Sequence, residues 1–303
     1  MHHEICVCIA THRRPQQLER LLTSLTQQTG VPSFEVVVVD NDTTRSAEPV
    51  VTSFEDRLRV RYLVEPIRGL AQVRNRSVSA SNSPFLAIID DDHCASSDWL
   101  AALYRTAIES GAAAVMGRGI PEFESSVPES IRRCGLFEKK AYNIGERVPW
   151  YDCATGNCLL RRNDLQDSQF PFCTKFDLTG GEDTDLFRRM IDRGLAIVAA
   201  PEAKSVSYRP ASRANLYWVL RRALRNGGTS VDVDWVSVGR SERLRRTINA
   251  GKTGARQGVR AIQLWLLHKD QIRATQRAVR ASFELGKILR QLGIRIQEYR
   301  HHH

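Results

Sequence analysis

No stretch of the 303-residue sequence approaches the roughly 18 uninterrupted apolar residues that a membrane-spanning helix needs. The N-terminus lacks a basic region followed by a long apolar one, so no signal peptide is expected and the default expectation is a cytoplasmic protein. Disulfides are equally poorly provided for. The seven cysteines (Cys6, Cys8, Cys94, Cys134, Cys153, Cys158 and Cys173) are odd in number in a long chain, which argues against a secreted disulfide framework. Cys153 and Cys158 are close enough in sequence to share a metal, but no second close Cys or His pair accompanies them, and buried thiols are the simpler expectation. There are no internal repeats and no nucleic-acid-binding motif.

What is present suits a globular enzyme. Hydrophobic residues make up 42% and charged residues 26%, enough for a sizeable core. The length allows one large α/β domain, or a catalytic domain with a smaller appendage. The net charge of +10 is unevenly spread. From Lys204 onward there are 21 Lys/Arg against 6 Asp/Glu, a balance of +15, whereas residues 1–203 hold 23 against 28, a balance of −5. Such asymmetry points to an acidic partner for the last third: phosphate, anionic lipid or nucleic acid. His301, His302 and His303 are set aside as compatible with a purification tag.

Periodicity organises the first hundred residues. Ile5 to Ala10 is a β-prone run ending at Thr11-His12-Arg13. A helix follows, with Pro15 in its first turn and Leu18, Leu21, Leu22 and Leu25 at helical spacing, and Gly30 and Pro32 end it. Val36 to Val39 runs into Asp40-Asn41-Asp42; four β-branched residues without alternation read as a strand covered on both faces. A strand at Val60 to Val64, a helix from near Leu70 and a strand from Phe85 to Ile89 complete a doubly wound β-α-β-α-β-α-β layout. Ligands bind at the carboxyl ends of such strands, where Thr11, Asp40 and Asp90 to Asp92 all fall.

The remainder is less regular. Ala112 to Met116 reads as a strand, and the stretch to Pro149 carries mixed signals. Gly156 to Arg161 suggests a short strand, Thr184 to Arg193 a helix capped by Gly194, and Ile197 to Ala200 a last strand. Beyond Arg240 the chain is helical and basic.

Three consecutive carboxylates at a strand end repel one another unless a cation sits among them. Asp90-x-Asp92 suits a Mg²⁺ or Mn²⁺ ion that neutralises a departing diphosphate. The plainer alternative is a solvated acidic turn or an N-cap cluster before Trp99. In Gly180-Gly181-Glu182-Asp183-Thr184-Asp185, two glycines free the backbone and three carboxylates crowd a helix N-terminus. One of them is a candidate general base, with N-capping as the alternative, the more so for Asp185.

At this point the chain resembles glycosyltransferase family 2, the inverting transferases of the GT-A fold, over roughly residues 4–230. The motifs are Cys8 to Pro15, Val39 to Thr43, Gly69 to Asn75 (with Val73 where the family usually has Ala), Asp90 to Asp92, and Glu182-Asp183. The resemblance implies a Rossmann-like, mainly parallel central sheet flanked by helices, here with a C-terminal basic helical extension. It implies Asp183 as catalytic base, Asp92 as metal ligand, and Asp90 as a ribose or metal contact. It also implies a donor-binding set of Thr11, Arg13, Asp40, Asp42, Arg74, Asp90, Asp91 and Glu182, with Asp40 on the nucleotide base; Arg213 and Arg225 are added as guanidinium forks that suit a diphosphate, with a solvated basic face and a packed Trp218 as the alternative. Arg213, Arg221, Arg222 and Arg225 resemble the Arg-rich helix of non-processive bacterial members. The Gln-x-x-Arg-Trp motif of processive members is absent.

The expected division is a catalytic domain at 1–235 (a nucleotide-binding half at 1–110, an acceptor half at 111–235) and an extension at 236–303. The expected activity is transfer from a nucleotide-diphosphate sugar, UDP first, to a hydroxyl of a glycan or lipid-linked acceptor, as in polysaccharide biosynthesis. A sugar nucleotidyltransferase ranks below this because Arg13-Arg14 lacks flanking glycines. A basic nucleic-acid-binding protein would leave both carboxylate clusters unexplained, so no nucleic-acid partner is expected. In the last sixty residues, Ile262, Leu264, Trp265, Leu266, Val279, Phe283, Leu285 and Ile288 among many Arg and Lys read as basic amphipathic helices. Two roles stand side by side: lying peripherally on the inner face of an anionic membrane, or packing against the catalytic domain or a second subunit in a homodimer.

Overall fold

The computed structural model describes residues 3–137, 140–235 and 238–296; the terminal histidines lie outside these. The described residues form two compact units. The first takes residues 3–120, 140–177 and 182–207, and the second takes 121–137, 178–181, 208–235 and 238–296.

In the first unit the continuous apolar runs become strands covered on both faces, as their lack of alternation requires. β1 (Ile5–Thr11), β2 (Phe34–Asp40), β3 (Val60–Val64) and β4 (Phe85–Ile89) lie parallel in the order β3-β2-β1-β4. One face buries Val7, Ile9, Val36 and Val38 with Leu18, Leu21 and Leu22 of α1 (Pro15–Leu25). The other buries Cys6, Cys8, Val37 and Val39 with Ala71, Val73 and Val78 of α3 (Leu70–Ser79). The short α2 (Glu48–Thr52) and α4 (Trp99–Ser110) complete the helices of this stretch. Register aligns Thr11 with Asp40 and Asp40 with Val64, so the carboxyl ends of these strands share one edge.

The sheet continues past β4 as β7-β6-β8-β5, made of β5 (His93–Ala95), β6 (Ala114–Phe123), β7 (Asn157–Arg161) and β8 (Ile197–Arg209). β7 runs antiparallel to both β4 and β6, and β5 antiparallel to β8. Here the sequence expectation needs correcting. β8 is thirteen residues long, not the four of Ile197 to Ala200. Its second half alternates buried and exposed residues, so no apolar run marks it. β6 extends to Phe123 for the same reason, and the three-residue β5 was not anticipated. α6 (Glu182–Asp192) starts two residues before the expected Thr184.

The second unit holds α5 (Glu129–Arg132), α7 (Leu216–Asp234), α8 (Arg240–Leu266) and α9 (Gln271–Gln291). Its core gathers Val127, Ile131, Cys134, Ala214, Val219, Ala223 and Val279, with Phe283 against it. α7, expected with residues 1–235, is in the same compact unit as α8 and α9. Glycines are the reason: a Cβ at Gly227 would lie 1.9 Å from the Phe283 carbonyl oxygen, and one at Gly286 1.9 Å from that of Leu224. Two backbones cross at those points without room for a side chain. Among the expected amphipathic residues, Leu264, Val279 and Phe283 face inward, while Ile262, Trp265, Leu266 and Leu285 are exposed. No helix of the described residues is long and apolar enough to cross a membrane.

Candidate active site

The chain leaves β1 through Thr11 and turns into α1, which brings two side chains back over the end of β4. Thr11 Oγ1 donates to Asp91 Oδ2 at 2.9 Å, and Arg14 Nη1 donates to Asp91 Oδ1 at 2.9 Å. Asp91 is buried, and burial pushes its carboxyl up to about 6; Arg14 and Thr11 pull the other way, while Asp92 and Asp90 add to the rise. The middle aspartate is thus held inside the fold, and Asp90 and Asp92 flank it with more exposure.

Asp90 Oδ1 accepts from Arg74 Nη2 at 3.1 Å. The same guanidinium pairs through Nη1 with Glu182 Oε1, and both partners are buried. Arg74 therefore links the aspartate cluster after β4 to the first residue of α6, next to Asp183. Such an ion pair, held by two carboxylates, is costly to break from one side. Asp183 Oδ1 accepts from the Thr184 backbone N–H at 2.7 Å. Burial pushes the thiol of Cys158, on β7, well above its ordinary value. Gly180 and Gly181, with φ of 71° and 108°, deliver the chain to α6 through a backbone that other residues resist. Asp185 instead pairs with Arg189 at 2.9 Å, one turn on.

A third metal-binding type of side chain joins the aspartates. One ligand atom from each of Asp90, Asp92 and His93 falls within 4.8 Å of the others. His93 Nε2 is 3.7 Å from Asp92 Oδ1, and its Nδ1 pairs with Ser205 Oγ at 2.8 Å. Behind Ser205 stands Asn157, whose Nδ2 donates to that hydroxyl at 2.8 Å and to the Ala203 carbonyl at 3.1 Å. Trp99 Nε1 in turn donates to Asn157 Oδ1 at 2.8 Å. Outer partners of this kind orient an imidazole toward a metal. Two carboxylates and one imidazole are a donor set that fits a divalent metal ion. Sequence reasoning missed His93, Arg14, Ser205 and Asn157. His93 directly follows Asp92 and was legible there, whereas Ser205 and Asn157 come from strands that only the sheet brings alongside.

The loop after β2 is tighter than expected. Asp40 is fully buried: Oδ1 accepts from the Asp42 N–H at 2.9 Å, and Oδ2 accepts from the Ala47 N–H and the Tyr62 hydroxyl, each at 2.9 Å. Its carboxylate organises the loop, and in this arrangement neither oxygen stands open to a nucleotide base. Asp42 accepts from Thr44 Oγ1 at 2.6 Å and pairs with Arg13 at 3.3 Å. Against burial, which raises it, these bonds hold the Asp42 carboxyl well below the usual carboxylate range. Arg13 remains largely exposed, and its φ of 52° projects it from the turn after β1.

Arg213 and Arg225 belong to the second unit. Arg213 ends a short turn before α7, and Arg225 on α7 donates to Asn226 Oδ1 at 2.9 Å. Trp218 stacks on Phe137 at 5.9 Å, with Arg222 over its ring at 5.3 Å. Cys153 donates to the Pro149 carbonyl and Cys158 to that of Thr155; both are buried thiols.

A mixed sheet with an acidic strand end at its parallel edge is the architecture of GT-A glycosyltransferases, and solved structures bear this out. The mannosyltransferase PcManGT from Pyrobaculum calidifontis, in complex with GDP-Man and Mn²⁺, matches at a TM-score of 0.64 and 17% identity, covering 94% of this chain and 87% of that one. S. aureus TarS 1-349 in complex with UDP matches at 0.55 and 17%, covering 93% and 92%. The chain belongs to glycosyl transferase family 2, whose sequence profile matches residues 6–168. The succinoglycan biosynthesis protein ExoM of Rhizobium meliloti (strain 1021) is 33% identical over 99% of this chain and 96% of its own length. Validoxylamine A glucosyltransferase of Streptomyces hygroscopicus subsp. limoneus is 29% identical over 66% of this chain and half of its own. Family membership favours sugar transfer over the nucleotidyltransferase and nucleic-acid readings.

Proposed function

We propose that the chain is an inverting, divalent-metal-dependent glycosyltransferase that moves a sugar from a nucleotide-diphosphate sugar, UDP first, to a hydroxyl of a glycan or lipid-linked acceptor in polysaccharide biosynthesis. The observation that carries this reading is the joint geometry of Asp90, Asp92 and His93, tied through Arg74 to Glu182 beside Asp183. The mannosyltransferase with GDP-Man and Mn²⁺ and the TarS complex with UDP support a nucleotide donor and a metal.

In this reading Asp183 takes the proton of the acceptor hydroxyl, and that oxygen attacks the anomeric carbon from the face opposite the diphosphate. A new carbon–oxygen bond forms as the bond to the phosphate oxygen breaks, and the electron pair leaves with the nucleoside diphosphate. Asp90, Asp92 and His93 would hold a divalent ion, which would supply charge neutralisation for the departing diphosphate. Arg74 keeps Asp90 and Glu182 in register. Thr11 and Arg14 fix Asp91, and the loop around Asp40 and Asp42 shapes the nucleoside's surroundings.

The test is calorimetric titration with UDP and GDP, with and without Mn²⁺, joined to a nucleotide-sugar turnover screen that determines the product's anomeric configuration. UDP affinity is expected to rise with Mn²⁺, and Asp92→Asn is expected to abolish that rise and to lower turnover about a thousandfold, the scale of several kcal/mol of charge stabilisation. Near-normal turnover of Asp92→Asn in Mg²⁺ or Mn²⁺ ends the metal assignment, and a retained anomeric configuration ends the inverting one.

A further inference from the structure

The outer face of α8 plays no part in the proposed reaction. The inner face of the helix packs on α9. Ala250, Gln257 and Leu264 are buried there, Arg277 donates to Gln257 Oε1 at 3.0 Å, and a Cβ on Gly254 would lie 3.3 Å from that of Glu284. On the opposite side Leu244, Ile248, Val259, Ile262 and Leu266 are between 49% and 62% exposed. Their spacing returns each to the same side of a 3.6-residue helix, with the exposed Ala255 in the gap. At 1.5 Å per residue, the stripe is about 33 Å long. Scattered exposed leucines need no explanation, but a continuous row on one face marks an interaction surface.

Lys252, Arg256 and Arg260 run beside the stripe, all exposed. α8 carries seven Lys/Arg and a single acid, Glu242, which is itself engaged by Arg245 and Arg246. The helix lacks the apolar length to cross a bilayer. We infer that this face of α8 docks the protein on an anionic lipid bilayer, with the helix lying in the interface. The apolar row enters the head-group boundary while Lys252, Arg256 and Arg260 meet lipid phosphates. Charge decides among the occupants. A second copy would bring two arginine-rich flanks together, which repels. An anionic surface matches the basic flank of Lys252, Arg256 and Arg260. The inference stands apart from sugar transfer and is tested without turnover.

The experiment is co-sedimentation of the full-length protein with phosphatidylcholine vesicles and with phosphatidylcholine–phosphatidylglycerol vesicles, at low and high salt. Two variants are run alongside. One combines Leu244→Ser, Ile248→Ser, Ile262→Ser and Leu266→Ser; the other combines Lys252→Gln, Arg256→Gln and Arg260→Gln. Every substituted side chain is exposed, and circular dichroism with thermal melting checks that both variants fold. The wild type is expected to pellet with the anionic vesicles and to be released only partly by salt. Each variant is expected to lose about tenfold or more of its partition coefficient. Equal, negligible pelleting of the wild type on both lipids overturns the inference, as does unchanged binding of both variants. If light scattering finds a dimer that the serine variant dissociates, and vesicles are ignored, the face joins two copies and the membrane inference is lost.

Discussion

The two units use opposite strategies with the same side chains. In the first, charged groups are drawn inside and given partners: Asp40, Asp91, Arg74 and Glu182 are all buried, and each is hydrogen-bonded to a group far away in sequence. In the second, apolar groups are left outside, from Leu244 to Leu266 on α8, while small residues bring helices together within. Buried ions cost desolvation and are retained where geometry matters. Exposed apolar rows cost solubility and are retained where a surface is to be met. The contrast is between a unit that gathers buried ions at one strand edge and a unit that leaves an apolar row on an outer helix face.

The sharpest way to break that contrast is at Asp183. Asp183→Asn is expected to lower turnover about 10²–10⁴-fold, the usual contribution of a general base, with donor affinity and melting temperature nearly unchanged. If donor affinity falls in step with turnover, Asp183 is a binding residue. In the second unit the corresponding blow falls on stability. Gly286→Ala is expected to destabilise by about 1–3 kcal/mol, because its Cβ has to displace the backbone of α7. Gly258→Ala meets nothing within 4 Å and is expected to stabilise α8 by about 0.5–1 kcal/mol. Thermal or denaturant melts of the pair measure this, and equal effects would remove the case for a close crossing.

Asn157→Ala removes the support behind Ser205 and His93 without touching an aspartate. Mn²⁺ affinity, measured by calorimetry in the absence of sugar transfer, is expected to fall about 10–100-fold, as losses of outer partners do. Unchanged affinity would make the Asn157 network purely structural. The smallest effect expected is at Asp91. Its folded carboxyl titrates near 6, above the ordinary value of about 3.9, so its contribution to stability is full below pH 4 and is lost as pH rises through 6. Asp91→Asn escapes that loss. The melting-temperature difference between variant and wild type is expected to shift in the variant's favour by about 2–4 °C from pH 4 to pH 7. A difference that stays constant with pH would mean Asp91 does not titrate in this window.

Much of the first unit was legible from residues alone, because a parallel sheet covered on both faces writes itself as unbroken β-branched runs. Val36 to Val39 and Phe85 to Ile89 announced both the strands and the edge at which Asp40 and Asp90 to Asp92 emerge. The later strands were not legible. β8 alternates buried and exposed residues after Ala200, and β5 has three residues, too few for any period. The same limit hid His93's support, since Ser205 and Asn157 become its neighbours only in the assembled sheet, where β5 pairs antiparallel with β8 and β6 stands between β8 and β7.

Local sequence by itself determined the order of the first elements, the acidic strand end, the glycine turn before Glu182 and the basic helical end of the chain, because each depends on neighbours within a few residues. Tertiary structure decided the rest. It turned Asp40 inward onto Tyr62, joined Arg74 to Glu182 across 108 residues, and divided the apolar residues of α8 and α9 between core and surface. Periodicity marks which residues share a helix face. Which face is covered depends on what packs there: close backbone crossings at Gly227 and Gly286 draw α9 onto α7, while α8 turns Ala250, Gly254, Gln257 and Leu264 toward α9 and leaves Leu244, Ile248 and Ile262 in the open.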